Sequence, residues 1–405
     1  MNSLKMLRKP LKAFGIICII ICVKANANPY NHYQLNCDLQ NDSMNVVCDY
    51  SIGNVYSESD YFLLSNIIPI KWITNDNNPI HFTRFGDTVR LHQPTNGETL
   101  HIAYTIPITY YKTNDGALCL RRENHWYPYR ENELLTASVS IGAPSYYIIC
   151  GKESASQHTV NLAYEIHLIM LPKDIYQLEI DRTHSRPFYF YHDIKNSKRD
   201  TCSFFLTFME AYDFYANFFQ DSLSTYPMHI VEIIDSTFTL CQSIQDMILF
   251  NDIFLAIYEM MPDYSWVPHE VAHQWWGNRL FFEYRDYAIS ESVTEYLKLQ
   301  YLKHNKKGYE DQIELYQGTI EYATTPLPIK DIHDVSTQDA SIAIYHKGPY
   351  RLEQSNLSCP QCELDKYLQE LFASHKNSIL PRNDFLNMTA NPSLKSALDK
   401  WISEL

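Results

Sequence analysis

Hydrophobic positions change their spacing along the chain near residue 200. From about residue 28 to 193 the apolar runs are short, rich in β-branched and aromatic residues, and bounded by Asn, Asp, Gly and Pro. They include Thr88-Val89-Arg90-Leu91, Leu100 to Tyr111, Ser145 to Cys150 and Thr159 to Leu171. Such runs predict strands, because branched side chains pack well on a pleated surface. Phe204, Phe205, Phe208, Tyr212, Tyr215, Phe218 and Phe219 then recur at helical spacing, a one-sided aromatic stripe that ends near Pro227 and reads as core. Helical signals continue over Glu291 to His304, Glu363 to Leu371 and Lys395 to Leu405, with no internal repeat. The pattern predicts an α+β multidomain chain in which residues 28–195 form an antiparallel β-rich domain, 196–345 a second domain and 346–405 a helical C-terminal region.

Residues 1–27 stand apart. They carry Lys5, Arg8, Lys9, Lys12 and Lys24 with no acid, an apolar run from Ala13 to Val23, and then Ala25-Asn26-Ala27. This is the pattern of a secretory signal peptide cleaved after Ala27. Its 11-residue apolar run is well short of the roughly 20 residues that span a bilayer. The mature chain is therefore expected to be exported, periplasmic or extracellular, with no stable membrane insertion after signal cleavage. Export changes the reading of cysteine, since Cys37, Cys48, Cys119, Cys150, Cys202, Cys241, Cys359 and Cys362 remain and an even count suggests disulfides. Cys37 and Cys48 flank the turn signal Asn41-Asp42 and are expected to bridge a hairpin. Cys359-Pro-Gln-Cys362 reads as a local disulfide rather than a redox or zinc half-site.

Composition narrows the chemistry. At 405 residues, 45% hydrophobic and 20% charged, the chain is an ordinary globular protein with room for two or three cores. No two of its 11 glycines are separated by a single residue, so no G-x-G-x-x-G or P-loop can be written, and no G-x-S-x-G occurs. A formal charge of −14 argues against a nucleic-acid partner.

Residues 269–277 read HEVAHQWWG. On a helix, His269 and His273 project from one face with Glu270 beside them, the spacing of zincins. Two imidazoles so placed can bind one Zn²⁺ and leave positions for a third ligand and a water, whose proton Glu270 can accept. Pro268 is compatible only with the first turn, which Asp263 or Ser265 could cap. Seventeen residues separate His273 from Glu291, the expected third ligand at the opening of a second helix. Glu283, Asp286 and Glu295 compete for that role, with Glu283 and Asp286 in the connection and Glu295 better placed to support a ligand. Ser292 to Glu295 also fits a capping box that would put Glu291 just before the helix.

At these residues the chain resembles the aminopeptidase N family of gluzincin zinc metallopeptidases, whose signature is HExxH, 18 residues and Glu. Ser290-Glu291 with Tyr296 is similar to the family's Asn-Glu-Gly segment and its following Tyr, and Tyr345-His346-Lys347-Gly348 resembles its Tyr-x-Lys-Gly motif. The resemblance implies a thermolysin-like α/β catalytic domain over residues 196–345, one Zn²⁺ per chain on His269, His273 and Glu291, Glu270 as general base, and Tyr345 as donor to the tetrahedral oxyanion. It implies peptide substrates and favours an aminopeptidase. Two departures stand out: the connection to Glu291 is one residue short, and the family's G-x-M-E-N exopeptidase motif is absent. The equivalent stretch is Cys241 to Leu249, with Asp246 its sole acid. A zinc endopeptidase or other amide hydrolase of the same fold and a catalytically silent peptide-binding scaffold are the alternatives.

Overall fold

The computed structural model describes residues 30–403 apart from 54–60, 76, 93–98, 132, 155–156, 185, 197–200, 223–225, 235–240, 252, 256–265, 324–326, 334 and 359–362. The leader at 1–27 and the Cys359–Cys362 segment lie outside the described residues. The chain is mixed α+β, with an N-terminal β region and a helical C-terminal region. Alternation builds the largest sheet from β1 (Asn31–Leu39), β2 (Met44–Ser51), β3 (Ile70–Asn75), β4 (Asn78–Pro79), β5 (Thr99–Ile106), β6 (Leu135–Ile141), β7 (Lys152–Ser154) and β8 (Gln157–Ala163). Their order is β7-β8-β6-β1-β2-β5-β3-β4, antiparallel except for the parallel β1/β6 pair. Inward positions such as Met44, Val46, Cys48 and Tyr50 on β2 are buried, and Tyr33 stacks on Tyr50 with centroids 4.6 Å apart.

The expected Cys37–Cys48 bridge does not form. Register places Cys37 opposite Val46 and Cys48 opposite Leu35, so the two thiols are diagonal neighbours. Diagonal Cα atoms on paired strands lie about 7–8 Å apart, beyond the usual disulfide span. Cys37, Cys48, Cys150 and Cys241 are free thiols. The run Thr159 to Leu171 also divides, into β8 and the strand Leu168–Pro172, which joins a different, three-stranded sheet.

A five-stranded sheet follows, built from β9 (Tyr176–Asp181), β10 (Phe188–Asp193), β11 (Met228–Ile233), β12 (Gln242–Ile244) and β13 (Met247–Asn251) in the order β9-β10-β11-β13-β12. The expected boundary at residue 195 therefore falls inside this sheet. The aromatic stripe forms helix α1 (Thr201–Phe218), which stops well before Pro227 as Gln220 turns to φ 52°. Phe204, Phe208, Tyr212 and Tyr215 share one core with Trp275 and with Leu368, Phe372, Leu398 and Trp401 of the C-terminal helices. The expected boundary after residue 345 thus divides a single core. Ile149, Ile169 and Leu171 of the three-stranded sheet pack on Tyr176, Val231 and Leu249, which fastens the N-terminal region to the five-stranded sheet. Among the described residues, no helix is long and apolar enough to cross a membrane.

Candidate metal centre

HEVAH lies on a short helix, α2 (Val267–Ala272), with Pro268 in its first turn. All six of its residues are buried, which suits a helix whose inner face carries Val271 and Ala272. His273 follows as the C-cap, yet its N–H still donates to the His269 carbonyl at 3.3 Å, so the one-turn spacing of the imidazoles is kept. Trp275 and Trp276 anchor the chain just beyond in the core, where Trp275 Nε1 donates to the Asp221 carbonyl at 2.9 Å. The suggested caps Asp263 and Ser265 lie outside the described residues.

Helix α3 (Tyr287–Asn305) starts nearly two turns earlier than the capping-box reading required, and Glu291 sits inside it. Asp286 occupies the N-cap, held by Arg382 Nε at 2.7 Å, while Ser292 Oγ donates instead to the Ile344 carbonyl at 2.8 Å. Buried Ala288 and Ile289 explain the earlier start, because their apolar face continues the helix into the core.

The two helices bring His269, His273 and Glu291 together, one ligand atom from each lying within 4.8 Å of the others. His269 Nε2 is 3.4 Å from Glu291 Oε2, His273 Nε2 is 3.4 Å from Glu291 Oε1, and the two Nε2 atoms are 3.1 Å apart. A tetrahedral ion bonded at about 2.1 Å sets its donor atoms roughly 3.4 Å from one another. The outer nitrogens are already engaged: His269 Nδ1 faces Glu295 Oε2 at 2.7 Å and His273 Nδ1 faces the Trp276 carbonyl at 3.0 Å. With the proton on each Nδ1, both Nε2 lone pairs and a carboxylate converge on one point, a donor set that fits a zinc ion. Glu295 is itself fixed by Lys298 Nζ at 2.8 Å and Tyr316 Oη at 2.6 Å.

The surrounding carboxylates favour positive charge at His269, which a bound cation would supply in place of a proton. Burial opposes charge on His269, but hydrogen bonds to Glu291 and Glu295 carry its pKa up to about 10. Burial likewise opposes ionisation of Glu291, and the charges of His273 and His269 override it, holding the carboxyl well below its ordinary range. For Glu270, burial wins over the neighbouring imidazoles and raises the carboxyl, which makes it a better proton acceptor.

Tyr345 lies in a π-helical turn, Ala343–Lys347, its ring centroid 6.1 Å from that of His269. Burial, Glu291 and Tyr287 push its phenol pKa up, so the hydroxyl stays protonated. His269, Glu270, His273, Glu291 and Tyr345 all line one cavity of about 950 Å³. The opposite wall comes from the N-terminal region through Arg122, Glu123 and Glu165, and the edge strand β12 contributes Gln242 and Ser243.

Other expected residues fall elsewhere. Asp246 does not line the cavity: it sits in the β12–β13 turn at φ 62°, paired with Arg186 Nη2 at 2.5 Å and Arg279 Nη2 at 3.0 Å. Buried Arg186 turns the carboxylate away from the cleft, which overturns Asp246 as its acid. Tyr296 donates to Asp365 Oδ1 at 2.5 Å and ties α3 to a C-terminal helix. Glu283 reaches the cavity wall but pairs with Arg285 Nε at 2.5 Å, outside the His-His-Glu cluster. Sequence reasoning missed Glu123 and Glu165, since no motif surrounds either. Desolvation in the wall and the nearby Glu123 carboxylate push Glu165 up to about 7.

The β region, the sheet with its metal-site helices and the helical end together define the fold of the M1 zinc metallopeptidases, with which the structure aligns over nearly its whole length. The M1 zinc metallopeptidase of Deinococcus radiodurans superposes with a TM-score of 0.66 at 11% identity, covering 94% of this chain and 95% of that one. A mutant of that enzyme with a Tyr-Ser-Ala substrate bound gives 0.66 at 10% identity, covering 94% of each chain. Native yeast LTA4 hydrolase gives 0.64 at 12% identity, covering 93% of this chain and 68% of that one. No protein-family model matches the sequence, and no curated protein matches it in sequence comparison.

Proposed function

We propose that the chain is an exported zinc-dependent peptidase that removes N-terminal residues from peptides. The observation that carries the reading is the convergence of His269 Nε2, His273 Nε2 and a Glu291 oxygen at 3.1 to 3.4 Å, with Glu270 and Tyr345 in the same cavity. His269, His273 and Glu291 would hold one Zn²⁺ per chain. Bound zinc would lower the pKa of a water towards about 7 and polarise the scissile carbonyl. Glu270 takes a proton from the attacking water and passes it to the leaving nitrogen. Tyr345 donates its hydroxyl proton to the oxygen that gains charge as the carbonyl becomes tetrahedral.

With Asp246 held by two arginines, the aminopeptidase reading rests on Glu123 and Glu165, carboxylates in the wall where a substrate ammonium would be received. A zinc endopeptidase is the second reading, favoured by the cavity-facing edge strand β12, which can pair with an extended peptide whether or not its end is free. Metal analysis of the purified mature chain, with hydrolysis rates for one peptide carrying a free and an acetylated N-terminus, tests both. About one zinc per chain and resistance of the acetylated peptide are expected. Equal rates would establish the endopeptidase, and full activity in zinc-free protein would defeat both readings.

A further inference from the structure

The hydroxyls of Tyr287 and Tyr345 lie 2.8 Å apart, and we propose that Tyr287 is a positioning residue that donates to Tyr345. The inference rests on the reading of Tyr345 as the oxyanion donor. Tyr287 opens α3 and Glu291 follows four residues later on the same face, so the helix that delivers the carboxylate also delivers this second phenol. Both tyrosines line the cavity.

The backbone on either side of Tyr345 is pinned. Ser292 Oγ holds the Ile344 carbonyl at 2.8 Å, and Gly348 approaches Ser292 so closely that an added Cβ would lie 2.5 Å from that Oγ. The ring packs against the core, so the torsion left to be fixed is that of the hydroxyl.

A tyrosine hydroxyl has a single proton to donate and lone pairs to accept with. Tyr345 is hydrogen-bonded to Tyr287, and the Glu291 carboxylate is close enough to help raise its phenol pKa. An oxyanion only accepts, so when Tyr345 spends its one proton there the bond between the two phenols is donated by Tyr287. Tyr287 therefore keeps the Tyr345 proton directed into the centre, where an oxyanion would need it. Accepting a hydrogen bond also makes Tyr345 a stronger donor, because chained hydrogen bonds polarise one another. Reversal of the pair would turn that proton away from the reaction.

The test is a double-mutant cycle on the zinc-loaded protein: Tyr287→Phe, Tyr345→Phe and both together, each assayed for kcat, KM, zinc content and melting temperature. Tyr345→Phe should lower kcat on the order of a hundredfold to a thousandfold. Tyr287→Phe should lower kcat about tenfold with KM and zinc content unchanged, and the double variant should be no slower than Tyr345→Phe alone. Wild-type kcat in Tyr287→Phe overturns the inference, as do losses that multiply in the double variant. A kcat loss matched by zinc loss or a large fall in melting temperature overturns it in favour of a structural role. If Tyr345→Phe itself turns over like the unmutated protein, the oxyanion reading fails first and takes the inference with it, a pattern distinct from the others.

Discussion

The two walls of the cavity are built on opposite principles. On the metal side, His269 and His273 are one helical turn apart and Glu291 comes from the second turn of the facing helix, so local backbone geometry sets the ligand spacing. On the other side, Arg122, Glu123 and Glu165 come from connections in the N-terminal β region and reach the cavity only because the three-stranded sheet packs against the five-stranded one. The contrast separates reaction from selection: the helices carry groups that can hydrolyse an amide, and the distant wall carries charges that can sort substrates. Changes on the metal side should abolish turnover, and changes on the distant wall should redistribute it.

The sharpest test of that division is His273→Ala, which should lose both metal and activity, beside Glu270→Gln, which should keep its metal while turnover falls by roughly a hundredfold to ten-thousandfold. Metal analysis and peptide hydrolysis on both variants check this, and an active Gln variant would remove Glu270 as the base. Next in size, Glu291→Ala should strip zinc, whereas Glu295→Ala, which loosens His269 Nδ1, should weaken metal affinity only about tenfold to a hundredfold. Chelator titration ranks the two, and Glu283→Ala should match the unmutated protein. Metal loss greater in Glu295→Ala than in Glu291→Ala would redraw the ligand set.

On the distant wall, Glu165→Gln should leave zinc and kcat near normal while narrowing the preference for free over acetylated N-termini by about tenfold, the worth of one charge-assisted hydrogen bond. Asp246→Asn should not move that ratio, because its partners are Arg186 and Arg279 rather than substrate. A ratio that responds to Asp246 and not to Glu165 would reverse the assignment.

The last effect, invisible at neutral pH, concerns stability where the two regions meet. Burial pushes His167 down to about 4, against an opposing pull from Asp246, and burial with Arg186 pushes His229 down to about 3. The unfolded chain protonates these imidazoles first, so stability is full above pH 6.5 and declines as pH falls towards 4. For His167 the loss is of order 3 kcal/mol. Melting temperatures from pH 7.5 to 4.5 should fall less steeply in His167→Asn, and parallel curves would show that His167 does not carry the decline.

How legible each part was depends on how far its partners lie along the chain. The aromatic stripe of α1 was readable because burial follows a short period. The local pattern at Ser292 also fits a cap, but its hydroxyl engages the Ile344 carbonyl, 52 residues away. Cys37 and Cys48 flank the right turn, but the register that staggers them is fixed by the pairing of whole strands.

The sequence by itself determined the candidate metal set and its neighbouring base, since His269, Glu270 and His273 obey a spacing that the helix imposes, and Glu291 follows within the next helix. It also determined the division into a β-rich and a helical part. Only the tertiary structure decided that Asp246 faces two arginines, that Glu165 faces the cavity and that Tyr287 meets Tyr345. The physical reason is that helical periodicity acts over about four residues, while a side chain's partner across a cavity depends on how sheets and helices pack, which no local pattern encodes.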